Sequence, residues 1–483
     1  MLERIRNEAL RSKVVSAEEA AKLAERNMLI GMSGFTAVGY PKAFPIALAK
    51  RAEAGEELAI TLITGASVGD ELDGSLARSG AVARRYPYQT NASMRDAINS
   101  GKVRYVDMHL SHVPYWLKHN YFGKVDMAVI EAAGIDEDGN IIPTMAVGCS
   151  DVLVQCAEKV VVEINTTIPE TIEGLHDIYT KEKIPFTKPI PILSPGDRIG
   201  TKTIPCGPDK IAAIIFSDIP DGNSELKEAD ESMQAIAAHL IDFLRREVEL
   251  GRLPEPLPPL QSGVGGVANA VLSCLEKSDF TELTVYTEVM QDAVLELIQK
   301  GKVKIASATA LTVSPSRKAE IYAKLGELKD KIILRPEELS NSPEVIHRLG
   351  LIAMNTALEV DLGGNVNSTH VNGSRVMNGI GGSGDFARNA GLTVFTTAST
   401  AKKGTLSCIV PRVSHVDHTE HDVDIIVTEQ GLADLRGLTA YERAEVLIEN
   451  CAHPDFKAEL RAYLDKALNS SQAKHGLPLP ESL

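Results

Sequence analysis

A repeated order of short apolar run, glycine turn and amphipathic helix constrains this chain more than any other feature. MLIGMSGF at 28–35 reads as a buried strand running into a turn at Gly31 and Gly34, and PKAFPIALAKRAEAG after it reads as a helix with proline near its start. ELAITLITGAS at 57–67 repeats the unit, and further strands are expected at 103–110, 127–132 and 159–164. KVKIASATAL, IAMNTALEVDLGGNVNSTH, GLTVFTTAST and VDIIVTEQGLADLRG continue the theme in the second half. Strands separated by helices imply an α/β fold with mostly parallel sheets and loops lined up at one edge. The 483 residues exceed one ordinary core, so two architecturally similar open α/β domains are expected. The polar, turn-rich IPDGNSELKEAD sets the boundary, giving domains 1–225 and 226–483, with an amphipathic linking helix over 233–248. No short-period repeat is present, so any duplication is of architecture only.

Composition then narrows the partners. A hydrophobic fraction of 44% without a bilayer-length apolar run gives no membrane span. MLERIRNEALRSK lacks a signal peptide's apolar centre and carries Glu3 and Glu8, which reads as cytoplasmic. The six cysteines, at 149, 156, 206, 274, 408 and 451, show no CxxC spacing and so no disulfide framework or zinc site. A formal net charge of −15 disfavours nucleic acid, and any anionic ligand must be gripped by local donors.

TELTVYTEVMQD at 281–292 is the stretch with the most chemistry. Leu283 and Val285 alternate with Thr284 and Tyr286, so a strand is expected to deliver Glu288 to its carboxyl end, where open α/β sheets bind ligands. A helix is expected from Val289 to Lys300. Taken alone, Glu288 reads first as a carboxylate capping that helix. Two glycine loops, SGVGGVAN at 262–269 and NGIGGSGDF at 378–386, allow backbone N–H groups to approach an anion closely. Gly263, Gly265 and Ala268 followed by Glu288 also imitate a dinucleotide fingerprint. The prolines at 254, 256, 258 and 259 argue against a central strand before Gly263, which leaves nicotinamide binding a minor alternative. His415, His418, Glu420 and His421 crowd together without HExxH order, and the interleaved Asp417, Asp422 and Asp424 favour a structural polar corner over a metal. LSHVPYWLKHNY at 110–121 reads as core and domain contact. Spacing leaves Ser-His-Asp chemistry open, although no G-x-S-x-G elbow occurs.

YTEVMQD, SGVGGVANAVL, GNVNSTH, GIGGSGDFARNA, IVPRVSHVDHTEHDVDIIVTEQGLADLRG and VVEINTTIPETIEGLHDIY together resemble the acetyl-CoA hydrolase/transferase family. Within it the chain looks like the branch of succinyl-CoA:acetate and propionyl-CoA:succinate CoA-transferases, over nearly its whole length. The resemblance implies two α/β domains with the active site in the cleft between them, a homodimer, acyl-CoA and short-chain carboxylates as substrates, and no permanently bound cofactor or metal. It makes Glu288 the catalytic glutamate and the amides of Val264 and Gly382 the oxyanion donors. Asn341, Gly382 and Ser67 would meet the acceptor carboxylate, and Glu429 matches another active-site position. Gly263, Gly265, Gly381 and Gly384 belong to the substrate loops, and Lys402, beside Lys403, is a candidate for the CoA phosphates or a solvated surface lysine. Where the branch carries an arginine in a D-R-N segment, this chain has Asp221-Gly222-Asn223. Acetyl-CoA hydrolysis and non-catalytic CoA binding are the alternatives.

Overall fold

The computed structural model describes residues 1–225, 229–469 and 477. The chain divides into two compact units, the first made of 1–225, 285–295 and 305–348, the second of 226–284, 296–304 and 349–483. Glu288 therefore groups with the first unit.

In the first unit seven parallel strands form one sheet: β1 (Leu29–Met32), β2 (Ile60–Ile63), β3 (Val82–Tyr86), β4 (Arg104–Tyr105), β5 (Met127–Ala132), β6 (Lys159–Asn165) and β7 (Ile211–Ser217). Their order is β4-β3-β2-β1-β5-β6-β7, so the winding reverses between β1 and β5. Such a reversal opens a crevice at the carboxyl ends of the strands. The apolar runs that predicted β1, β2, β5 and β6 are buried on both faces, as a parallel sheet requires. The run at 103–110 shrinks to the two-residue edge strand β4. The first 27 residues form short turns and the brief helix Ala17–Ala21.

The second unit repeats the winding. In chain order β8 (Leu260–Ser262) is followed by β9 (Leu283–Tyr286), β10 (Val289–Met290), β11 (Val303–Ala308), β12 (Ala310–Leu311), β13 (Ile332–Leu334), β14 (Ile352–Thr356), β15 (Leu392–Thr396), β16 (Ile425–Thr428) and β17 (Gly431–Asp434), of which β10, β12 and β13 lie in the first unit. Within this unit β8, β14, β15 and β16 run parallel, and β17 turns back antiparallel at the edge. β8 lies between β9 and β14, so here too the first strand is central and the reversal occurs beside it. β9 and β11 begin in this unit and end in the first, where Ala306–Ala308 of β11 pairs with β13. The linking helix spans Glu231–Glu249, capped by Asp230, whose carboxylate accepts from Met233 N at 2.9 Å.

β8 corrects one expectation. The prolines do not prevent a central strand; they stop just before it, and Pro259 contributes only its carbonyl, which accepts from Ile352 N at 3.0 Å. A proline immediately ahead of a strand loses no ladder donor that the sheet needs.

A buried histidine gives the first unit a defined acid sensitivity. His176 is 1% exposed, and its Nε2 donates to the Thr144 carbonyl at 2.8 Å. Burial, with a smaller push from Arg198 and against the Thr144 bond, lowers its pKa to about 4. The unfolded chain takes up this proton near pH 6.5 and the folded one only near 4, so the stability contributed by neutral His176 is lost as pH falls through that window. His176→Gln lacks this loss. The stability difference between native chain and variant, read from urea unfolding, is expected to shift against the native chain by about 2–3 kcal/mol between pH 7.5 and 4.5.

Candidate functional site

Glu288 sits where the chain leaves one sheet for another. Thr287 N still pairs with Ser307 O at 2.9 Å, whereas Val289 and Met290 form β10 and pair with β12 in a separate two-stranded ribbon. The expected direct passage from strand to helix is therefore interrupted, and the helix starts at Asp292 and ends at Gln299. At the crossing point the Glu288 carbonyl accepts from both Thr309 N (2.9 Å) and Ala310 N (3.0 Å). The backbone is fixed and the half-buried carboxylate is left to project.

Asn341 holds that carboxylate. Its Nδ2 donates to Glu288 Oε1 at 2.7 Å, and its Oδ1 accepts from Ser340 Oγ at 2.8 Å. An ionised carboxylate can only accept, which fixes the amide with its nitrogen toward Glu288. Asn341 is fully buried at the end of the helix Glu337–Ser340, and Tyr286 Oη bonds Leu339 O in that helix at 2.6 Å. The partner of Glu288 is thus anchored to the strand that leads into Glu288.

A further layer ties this corner to the reversal in the first sheet. Thr309 Oγ1 accepts from Gly148 N at 3.0 Å, and Gly148 O accepts from Glu337 N at 2.8 Å. Ser33, just after β1, donates from Oγ to Val147 O at 3.2 Å. Gly65, after β2, has no room for a side chain, since a Cβ there would lie 2.7 Å from Gly34 O and 3.1 Å from Glu337 Oε2. Thr309 and Gly148 went unnoticed in the sequence because their contacts link segments far apart in the chain.

The other expected site residues fall as follows. Ser67 is buried in the loop after β2, its carbonyl accepting from Ala37 N at 3.3 Å. In the second unit Gly263 N is engaged by Met354 O at 2.9 Å, and Val264 beside it is 45% exposed. Gly265 adopts φ 120°, a backbone conformation open to glycine, and turns the chain into the helix Gly266–Lys277. Gly381 has φ 58° and Gly382 caps the helix Ser383–Ala387, which contains Gly384. Glu429 directly follows β16 and accepts from the amide of Ser399 (2.8 Å), from its hydroxyl, and from Gln430 Nε2 (3.0 Å). Burial alone would raise its pKa, but these donors outweigh burial and hold it below the usual glutamate value. Lys402 and Lys403 occupy left-handed positions, φ 47° and 58°, in an exposed turn between the short strands Thr400–Ala401 and Leu406–Ser407. Glu288 and Asn341 are brought together directly. Glu429, Lys402 and the two glycine loops lie in the second unit.

Asp221-Gly222-Asn223 has a structural use. Asp221 pairs with the buried Lys42 at 2.9 Å, and Asn223 Nδ2 donates to Val313 O at 2.7 Å. A Cβ at Gly222 would stand 2.9 Å from the Tyr40 hydroxyl, so glycine suits this packing. The stretch 110–121 buries Val113 and Leu117 as expected, while Tyr115, Lys118 and His119 line a cavity of about 420 Å³ with Glu338 and Ser342.

Profiles of the acetyl-CoA hydrolase/transferase N-terminal and C-terminal domains match residues 2–216 and 318–464. The chain is 53% identical to a succinyl-CoA:acetate CoA-transferase of Clostridium kluyveri, over 97% of this chain and 87% of that one. It belongs to the acetyl-CoA hydrolase/transferase family. Other members include a propanoyl-CoA:succinate CoA transferase of Escherichia coli, 43% identical over 94% of this chain and 93% of its own, and an acetyl-CoA hydrolase of Saccharomyces cerevisiae, 42% identical over 100% and 94%. Among solved structures, 4-hydroxybutyrate CoA-transferase from Porphyromonas gingivalis matches with a TM-score of 0.66 at 25% identity, covering 95% of this chain and 99% of that one. RipA from Yersinia pestis has the same fold, with a TM-score of 0.74 at 24% identity over 95% and 98%. Family membership also removes the dinucleotide reading of the loop after β8, whose strand-loop-helix pattern alone would have kept it open. Among the described residues no helix is long and apolar enough to cross a membrane.

Proposed function

We propose that this enzyme is an acyl-CoA:carboxylate CoA-transferase that moves CoA between short-chain acids, succinate, acetate and propionate among them, through a glutamyl-CoA thioester on Glu288. The observation that carries this reading is the strand-end carboxylate of Glu288 held at 2.7 Å by a fully buried amide, in a family that uses acyl-CoA. Attack by a Glu288 oxygen on the thioester carbonyl breaks the carbon–sulfur bond, releasing CoA thiolate and leaving a mixed anhydride. The thiolate then attacks the glutamyl carbonyl, the donor carboxylate departs, and CoA is bonded to Glu288. An acceptor carboxylate attacks that thioester and the sequence runs in reverse. Both intermediates are activated acyl links, so the free energy of the thioester is retained; a serine ester would lose it.

Each attack puts negative charge on a carbonyl oxygen. The amides of Val264 and Gly382 are assigned as donors to it, a role in which losing one donor costs about 3–4 kcal/mol of activation free energy. Ser67, Asn341 and Gly382 are assigned to the acceptor carboxylate, Glu429 and the glycine loops to substrate, and Lys402 to the CoA phosphates. No resident cofactor is needed. Asn341→Ala is expected to lower kcat by about 10²-fold with little change in KM for acyl-CoA, because it frees the nucleophile from its attack position without touching the CoA tail. Steady-state kinetics check this.

Hydrolysis is the second reading, favoured by the acetyl-CoA hydrolases among the relatives. Turnover of acetyl-, propionyl- and succinyl-CoA with and without acceptor carboxylate separates the two. The transferase reading expects CoA exchange at least about 100-fold faster than CoA release into water; steady release without acceptor at the exchange rate overturns it. The reading extends to a cytoplasmic homodimer, and a monomer mass by light scattering would contradict the dimer.

A further inference from the structure

The second unit brings together two imidazoles and a carboxylate that are scattered in the sequence. His370 lies on a two-strand hairpin, His370–Val371 against Arg375–Val376, while His415 and Asp417 lie in the loop that follows the short strand Ile409–Val410. One ligand-type atom from each of the three falls within 4.8 Å of the others. The His370 and His415 rings stack with centroids 3.9 Å apart, tilted by 37°. His415 Nε2 stands 3.3 Å from Asp417 Oδ1. A tetrahedral ion with bonds of about 2.0–2.1 Å sets its ligand atoms about 3.3–3.4 Å apart, so this edge already has the required length.

The surrounding hydrogen bonds orient the ligands. Thr369 Oγ1 lies 2.6 Å from His370 Nδ1 and 2.8 Å from each Asp417 oxygen. The hydroxyl has one proton and an ionised carboxylate can only accept, so that proton points to Asp417 and Nδ1–H donates to the hydroxyl. In the neutral ring the lone pair is then on Nε2. Asp417, 3% exposed, is further fixed by Ser368 N at 2.7 Å. A chain from imidazole through hydroxyl to carboxylate is the outer support that metal-binding histidines use.

We propose that His370, His415 and Asp417 form a binding site for one divalent transition-metal ion of the zinc type, with the fourth position open to solvent. Two imidazoles and one carboxylate suit Zn2+ or Co2+ over Mg2+ or Ca2+, which prefer all-oxygen shells. The ion would join the hairpin to the 411–422 loop. That loop reaches the second glycine loop through His418, whose Nε2 lies 3.2 Å from Ser383 Oγ, next to Gly382. The site is distinct from the glutamyl chemistry and does not depend on it.

The test uses the full chain stripped with EDTA and titrated with Co2+ and then Zn2+, followed by equilibrium dialysis and visible absorption. One Co2+ per chain with the intense spectrum of tetrahedral coordination, displaced by Zn2+, is expected. His370→Ala and His415→Ala should each weaken Co2+ binding by at least about 100-fold, and Thr369→Val by about 10-fold through loss of the outer support. His415 has a side chain 39% exposed, so its replacement leaves the buried Asp417 network in place should Asp417→Asn fail to fold. His421→Ala, in the same loop but outside the cluster, should bind as the native chain does. Substoichiometric binding, a weak octahedral spectrum, or affinity unchanged by His370→Ala and His415→Ala would each overturn the assignment.

Discussion

Glu288→Gln is expected to reduce CoA transfer by on the order of 10⁴-fold or more while leaving the fold intact. The amide keeps the shape of the side chain and an acceptor oxygen for Asn341, whose Nδ2 now reaches Glu288 Oε1 at 2.7 Å. The backbone anchors, Thr309 N and Ala310 N on the Glu288 carbonyl, are untouched by the change. Stability should therefore move by only about 0.5 kcal/mol, the usual range for a partly exposed substitution. Chemistry has no such tolerance. Without a carboxylate, neither mixed anhydride nor glutamyl thioester can form, and loss of a nucleophile in comparable enzymes costs on the order of 10⁴–10⁶ in kcat. Thermal unfolding beside a kinetic assay separates the two effects; a variant that retains a tenth of the native rate would remove Glu288 from the nucleophile's role.

The largest stability effect is expected at Lys42. Its ammonium is fully buried, donating to Tyr40 O at 2.9 Å and pairing with Glu131 at 2.5 Å and Asp221 at 2.9 Å. Burial alone would lower its pKa, but Asp221 and Glu131 reverse that and hold it above the ordinary lysine value. Burial also raises the pKa of Glu131, against the pull of Lys42. Lys42→Met fills the space but strands two buried carboxylates, an arrangement that costs about 3–5 kcal/mol. The sign of the pH dependence follows. In the variant the Glu131 carboxyl, already raised by burial, loses the pull of Lys42 and rises further, so the folded state binds the extra proton and gains stability as pH falls. The deficit measured by urea unfolding should be smaller near pH 6 than near pH 8. Adding Glu131→Gln should recover part of it, as double-mutant coupling requires.

Much of this was legible in the sequence because parallel strands are buried on both faces and announce themselves as apolar runs. The runs at 28–32, 60–63, 127–132 and 159–165 became interior strands for that reason. The two glycine loops and the carboxylate at a strand end were equally readable, since each is a local feature. What escaped depended on pairing between distant segments. β10 exists only because Val289 and Met290 find Ala310 and Leu311, so the helix expected at Val289 begins at Asp292. β8 is three residues long and hides behind prolines, yet it is central because it meets β14 along its whole length. The approach of His370 to His415, 45 residues apart in sequence, is another such pairing, made by a hairpin with no sequence signal.

The most direct measurement is intact-protein mass spectrometry after mixing the purified chain with acetyl-, propionyl- or succinyl-CoA, with peptide mapping of any adduct. The account predicts a CoA-sized adduct on the peptide containing Glu288, absent from Glu288→Gln, that disappears when acetate or succinate is added and new acyl-CoA forms. A CoA adduct mapped to another residue, or rapid exchange of CoA between acids with no adduct at Glu288, would contradict it.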